Sequence, residues 1–259
     1  MPTTAGLAIA AGVGCRMLAA VAVATLPAFP GVTIRTRFAV AVALAAVALP
    51  AAIASNSAAI GPWPLVIAGE AIVGGVIGTA IALVVAASGW AGTLLGSVSG
   101  LSWADDFDPG SGDASAGIGR LAWWVGAAAF LAAGGQLVIV TGLLDSFATL
   151  PVGTVLNGDG GLDRLLPVVT AAPALALRIA LALALPAVTA VVAFHLASTI
   201  CLRAVPFSPG AGLLQGLAAV VLLMALWSGL DAWAGTSSLL MREGLEQVLE
   251  VLRVSGRKG

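Results

Sequence analysis

One carboxylate stands inside an otherwise apolar run: Glu70, in PLVIAGEAIVGGVIGTAIALVVAASGWAGTLLGSVSG over residues 64–100. A charge at bilayer depth costs about 2.5–3.5 kcal/mol on insertion scales, so it needs a partner, water or protonation. Two chemistries fit such a group. It can pass protons or ions, or it can hold an interhelical hydrogen bond or ion pair that orders an assembly. No second intramembrane carboxylate is spaced to continue a relay, which favours packing. The neighbours favour it too. Glu70, Gly74, Gly78 and Ala82 share one helix face at four-residue steps, and Gly92, Gly96 and Gly100 repeat the step. Small residues at that spacing let another helix backbone come close, which is how helices pack in lipid.

The other chemistry-bearing residues are few. Arg16 and Arg178 lie in apolar runs and could pair with Glu70 or with helix C-terminal carbonyls; for Arg178, close to an expected helix start, snorkelling to an interface is preferred. His195 is the only histidine, and a lone histidine on an apolar helix is more often a hydrogen-bonded packing residue than a metal ligand. Cys15 and Cys201 both sit among apolar residues and read as packing thiols, not a disulfide frame or metal site. Asp105, Asp106, Asp108 and Asp113 lack the spacing and terminal glutamate of an EF-hand loop, so a solvated acidic loop is expected. No Walker loop, H-E-x-x-H or G-x-S-x-G elbow is present. The nearest approach to an intramembrane protease is Gly96-Ser97-Val98-Ser99-Gly100 with His195, and its serines are better explained as small residues on the seam. No enzyme, metal or cofactor is expected.

The elements that must position Glu70 follow from composition. Of 259 residues 60% are hydrophobic and only 9% charged, against about a quarter charged in soluble domains. Mean hydropathy is +1.09, so an all-α, polytopic membrane protein is expected. A net charge of −1 gives no ground for nucleic-acid binding. There is no tyrosine, which leaves interfacial aromatic anchoring to seven tryptophans. Apolar helices are expected at about 6–26, 38–53, 65–100, 121–144, 174–203 and 211–233. The first lacks the basic start of a secretory signal and reads as a retained helix. Ser88-Gly89 marks a kink or hairpin in the third, and Pro206-Phe207-Ser208-Pro209-Gly210 breaks the chain before the sixth. The long connections are 102–119, rich in aspartate and glycine, and 145–173. The second of these contains a short helix near 162–170, begun at Pro167 or capped by Asp163. A C-terminal amphipathic helix over 237–254 sets Leu245, Val248 and Leu249 against Arg242, Glu243, Glu246 and Glu250.

Topology is in conflict with charge. Arg35 and Arg37 put the first connection inside and Arg203 does so for the fifth, yet an even number of spans leaves the basic C-terminus outside. Either one run does not span or the helices do not cross a bilayer in the ordinary way.

The order of landmarks carries a resemblance. Arg16 is followed by LPAFPGVTIRTRFAVAVALAAVALP. GEAIVGGVIG holds Glu70, Gly74 and Gly78, and AGTLLGSVSGLSWADDFDP ends in Asp108-Pro109. LLDSFATLPVG holds Ser146, Phe147 and Pro151, and LPAVTAVVAFHLASTICLRAVP ends in Arg203 and Pro206. In this order they resemble the FliR family, the flagellar biosynthetic export-gate proteins, and its injectisome counterpart SctT. One departure stands at Phe207-Ser208-Pro209-Gly210, where that family has a polar Gln/Asn segment. The resemblance implies one export-gate domain over 1–259, non-enzymatic and without cofactor. It implies a bacterial inner-membrane protein, at the basal body in flagellar systems. FliP-like and FliQ-like subunits would join it in a cone-shaped assembly largely lifted from the bilayer plane. FlhB-like and FlhA-like components would work beside it, membrane lipid would surround it, and unfolded secretion substrates would pass through its centre. It further implies that the loop over 101–117, centred on Phe107, Asp108, Pro109 and Gly110, plugs the closed pore. The glycine content of that loop suits rearrangement. The competing class is a small-solute transporter or channel working alone, with midplane sites built from broken helices.

Overall fold

Apolar periodicity without β-branched alternation dictates helices, and the computed structural model contains seven among the residues it describes, 4–28, 32–55, 61–101, 117–156, 161–204 and 210–257. They are α1 (Thr4–Ala28), α2 (Ile34–Ser55), α3 (Trp63–Ser99), α4 (Gly117–Ala132), α5 (Gly135–Thr149), α6 (Gly161–Ala204) and α7 (Ala211–Arg257). No strand occurs among the described residues. Five helices are long and apolar enough to cross a membrane, or six if the bent pair α4 and α5 forms one span.

Four boundaries differ from the sequence expectation, three for a packing reason and one for a backbone reason. The third helix runs unbroken through Ser88-Gly89. Ser88 is buried and donates its hydroxyl to the Val85 carbonyl at 3.3 Å. A Cβ on Gly126 would lie 2.5 Å from that of Ser88, and one on Gly89 3.3 Å from that of Trp123. The small pair is there to admit α4, not to bend α3.

The run 121–144 does break, at Gly134, whose φ of +78° is left-handed backbone that an L side chain resists. The chain turns 70° between α4 and α5 there. The connection expected over 145–173 is shorter than that, because α5 continues to Thr149 and α6 begins at Gly161. Pro167 and Pro173 therefore lie inside α6. A proline removes one helical hydrogen bond. Here the buried stripe Leu165, Val168, Ala172 and Ala176 carries the helix past both. Likewise, α7 joins the expected sixth helix and amphipathic tail, held by buried Leu222, Ser237, Met241, Leu245 and Val248 on one face. With 44 and 47 residues, α6 and α7 are about 66 and 70 Å long, more than twice the roughly 30 Å of bilayer hydrocarbon.

The helices form two compact units. The first comprises Met1–Val84, Gly134–Ala176 and Arg242–Gly259. In it α2 packs against α1 and α5, and the Ser55 hydroxyl donates to the Phe147 carbonyl at 3.2 Å. Its core includes Val13, Met17, Val66, Val73, Ile77 and Phe147. The second comprises Val85–Ala133 and Leu177–Met241, with Leu95, Ala122, Phe130, Leu183 and Leu222 buried.

Candidate functional site

Glu70 lies in the first unit, and it is not alone. Arg16, on α1, donates its Nε to Glu70 Oε2 at 2.5 Å, and both side chains are fully buried. The other two guanidinium nitrogens have partners as well. Nη1 reaches the Ser146 carbonyl at 3.1 Å and its Oγ at 3.2 Å, and Nη2 reaches the Leu150 carbonyl at 2.8 Å. Ser146 can serve because its own proton goes to the Leu143 carbonyl at 2.7 Å, leaving lone pairs for arginine. The Phe147 ring lies 4.2 Å from the guanidinium carbon, a cation–π contact in a desolvated place. On the other side Glu70 Oε1 accepts the backbone N–H of Gly153 at 3.0 Å.

Four stretches of chain thus meet at one ion pair: α1, α3, the end of α5 and the turn that follows it. The turn is made by Gly153, whose φ is +85°. Its entry is allowed by Gly12 on α1, where a Cβ would stand 2.7 Å from Val152 and 3.3 Å from Glu70. Two buried charges cost several kcal/mol each to desolvate, and only complete pairing offsets this. Each guanidinium nitrogen and both carboxylate oxygens have a partner here, which is the condition under which a buried pair fixes one arrangement of helices.

The glycine seam of α3 meets different neighbours along its length. A Cβ on Gly74 would run into the Arg16 carbonyl oxygen, and one on Gly78 would lie 2.5 Å from the Ala20 carbonyl oxygen. Both are backbone atoms that cannot rotate away, so these two glycines let α1 and α3 touch. Gly92 does the same for α4: a Cβ there would lie 2.5 Å from Ala122 and 2.8 Å from Gly119. Gly96 is buried. Gly100 is not a rung of the helix. It follows Ser99, the last residue of α3, with φ +74°, and so ends the helix in the left-handed cap position.

The other sequence candidates separate from this centre. Phe107, Asp108, Pro109 and Gly110 lie outside the described residues, as do all four aspartates of that loop and the departure at 207–209. Arg178 is exposed and sits deep within α6, so the helix start that made snorkelling attractive is not there. Ser97 and Ser99 donate back to the carbonyls of Leu94 and Leu95 at 2.8 Å, which spends the hydroxyl protons a nucleophile would need to give away. His195 contacts the Phe194 ring edge-on at 5.7 Å. Cys15 donates to the Ile67 carbonyl, and neither cysteine is in a disulfide. Among the described residues no group of three or more His, Cys, Asp or Glu side chains could hold a metal ion.

Sequence reasoning singled out Arg16 and Glu70 but left their pairing open, and it missed the roles of the Leu150 carbonyl and the Gly153 N–H. Backbone groups carry no side-chain signature. The usable signal was LLDSFATLPVG, in which a serine, a phenylalanine and a Pro-Val-Gly turn lie close together.

A family model described as bacterial export proteins, family 1, matches residues 7–243. The chain belongs to that family. The match takes in every residue of the buried cluster, from Arg16 to Gly153, and ends within α7. No curated protein matches the sequence. As a bacterial export protein with several apolar helices long enough to span, the chain is a multi-pass membrane component of a protein export apparatus.

Proposed function

We propose that this bacterial export protein is a non-enzymatic subunit of a type III protein export channel, flagellar or injectisome. In this reading it joins FliP-like and FliQ-like subunits in the inner membrane, with FlhB-like and FlhA-like components beside it, and the full chain 1–259 acts as one gate subunit through which unfolded proteins leave. One observation supports it above the rest. In a protein of an export family, α6 and α7 are about 66 and 70 Å long and carry large apolar side chains exposed along them. A lone protein in a bilayer about 30 Å thick has no medium that covers such helices end to end. Apolar neighbours do.

In this reading Glu70 and the glycine seam, Gly74, Gly78, Gly92 and Gly96, are packing features. Glu70, Gly74 and Gly78 tie α1 and α3 to the turn at Gly153, and Gly92 ties α3 to α4. The loop over 101–117 stoppers the pore, with Phe107, Asp108, Pro109 and Gly110 at its centre.

Purification from the native membrane through a tag on this chain tests the reading. FliP-like and FliQ-like subunits should be recovered with it in fixed ratio, and the neighbouring reading frames should encode them. A chain that moves solute or protein in liposomes by itself would refute it and establish the stand-alone transporter.

A further inference from the structure

A cation and two tryptophans share one side of the α3–α4 pair in the second unit. On α4, Arg120 is exposed, Trp124 is 59% exposed, and Leu131 follows on the same stripe at 46%. On α3, Ala86, Trp90, Leu94 and Ser97 form a stripe at helical steps, with Trp90 40% exposed. The two helices run antiparallel: a Cβ on Gly89 would lie 3.3 Å from that of Trp123, and one on Gly92 2.8 Å from Gly119. Each stripe is offset from its helix's own contact residues by a similar turn, roughly 110–130°. In an antiparallel pair of right-handed helices, that offset puts both stripes on one side, with Trp90 and Trp124 level with each other.

The order of side chains along this side says what covers it. Arg120 stands at the end nearest the connection 102–116, a stretch of sequence with four aspartates and no basic residue. One turn further along α4 come the tryptophans, with Leu94 and Leu121 exposed within a turn of them. Beyond lie only aliphatic groups, Ala128 and Leu131 on α4 and Ala86 on α3. Arg120 is the sole ionisable residue of α4, and that of α3, Glu70, is fully buried. Charge, then indole, then aliphatic is the sequence of layers at a bilayer boundary. Neither a protein neighbour nor an aqueous lumen requires that order. Among the described residues Arg120 makes no ion pair or hydrogen bond, so its guanidinium is open to a phosphate. The nearby hydroxyls do not compete, because Thr93 and Ser97 donate to the carbonyls of Gly89 and Leu94 at 3.0 and 2.8 Å.

We infer that this side of α3 and α4 faces phospholipid. The headgroup layer lies at Arg120, which pairs with a lipid phosphate and favours anionic lipid. The Trp90 and Trp124 indoles lie at the carbonyl layer, and acyl chains cover Ala128 and Leu131. The inference needs only the multi-pass membrane character of the chain and goes beyond the export-channel reading. A covering subunit and an aqueous lumen are the alternative occupants.

The test uses the protein as purified from membranes with its companions, returned to vesicles of phosphatidylcholine and phosphatidylglycerol. A single cysteine replaces Ser97, Ala128 or Leu131 in a chain carrying Cys15→Ala and Cys201→Ala, and each is labelled with the same fluorophore. Lipid brominated midway along its chains should quench the dye at Ala128 and Leu131 about threefold more than at Ser97, where aqueous iodide should act most. Phosphatidylglycerol with a nitroxide near its carbonyls should quench the dye at Ala128 about twofold more than the phosphatidylcholine analogue does. Arg120→Gln should abolish that excess and Arg120→Lys should keep it, a pattern that general misfolding does not produce. Iodide quenching at all three positions would show a water-lined face, and quenching by neither agent would show a covering protein. Either result overturns the inference and leaves the export-channel reading untouched. An excess that is absent with Arg120 in place, or that survives Arg120→Gln, would overturn the pairing of Arg120 with lipid phosphate.

Discussion

At the scale of single residues the Arg16–Glu70 pair dominates, because its geometry tells apart two losses that look alike. Arg16→Met leaves a carboxylate in the core with only the Gly153 N–H, and should destabilise the protein by about 3–5 kcal/mol, read as a lower melting temperature in detergent. Glu70→Gln keeps an acceptor for arginine but removes the counter-charge, so it should hurt recovery of the complex more than any conductance. An assembled but transport-dead complex would favour the relay chemistry instead. The double variant Arg16→Met, Glu70→Leu should regain much of what either single change loses, since no orphan charge remains. Arg16 and Glu70 could be singled out from sequence because a charge in an apolar run has to be explained. That they pair could not, since 54 positions separate them and Arg178 was an equal candidate on type alone. The partners on the Leu150 carbonyl and Gly153 N–H were invisible, being common to every residue.

At the scale of elements, glycines that look alike in sequence do opposite things. Gly74 abuts the Arg16 carbonyl oxygen, so Gly74→Val must push α1 from α3 and should cost about 1–3 kcal/mol. Gly75, one position on, has nothing within 4 Å of its would-be Cβ, so Gly75→Ala should leave stability unchanged or raise it by up to about 1 kcal/mol. Thermal melts of the two variants side by side check the pair, and equal effects would mean that the contact is not what sets the spacing. Gly134 is a third kind. Space around it is open but its φ is +78°, so Gly134→Ala should cost about 1–2 kcal/mol from backbone strain alone. Helix existence was legible from apolar runs of the right length. Helix ends were not, because punctuation by Ser-Gly or proline was outvoted by buried stripes at Ser88, Pro167 and Pro173, while the Gly134-Gly135 pair broke a run read as continuous.

At the scale of the whole molecule, the proposed stopper predicts a leak. Deleting 103–115 should leave assembly with the partner subunits intact while making cells permeable to small ions, measured as loss of membrane potential or uptake of an impermeant dye. A membrane that stays tight in the deletion strain would count against a gating role for Phe107, Asp108, Pro109 and Gly110. The all-helical architecture and the export family were both reached from sequence order. The division into two units was not, because each unit draws on stretches far apart in the chain. That division bears on how the protein is made. Arg16 is synthesised before its partners, and its last acceptor, the Leu150 carbonyl, lies 134 residues further on. At a synthesis rate of 5–20 residues per second, the arginine waits on the order of ten seconds for its site to exist. Until Glu70 follows, 54 residues on, the first helix carries a cation without its counter-charge, and starving newborn chains of shelter at the insertion machinery should strand them before any mature complex is harmed.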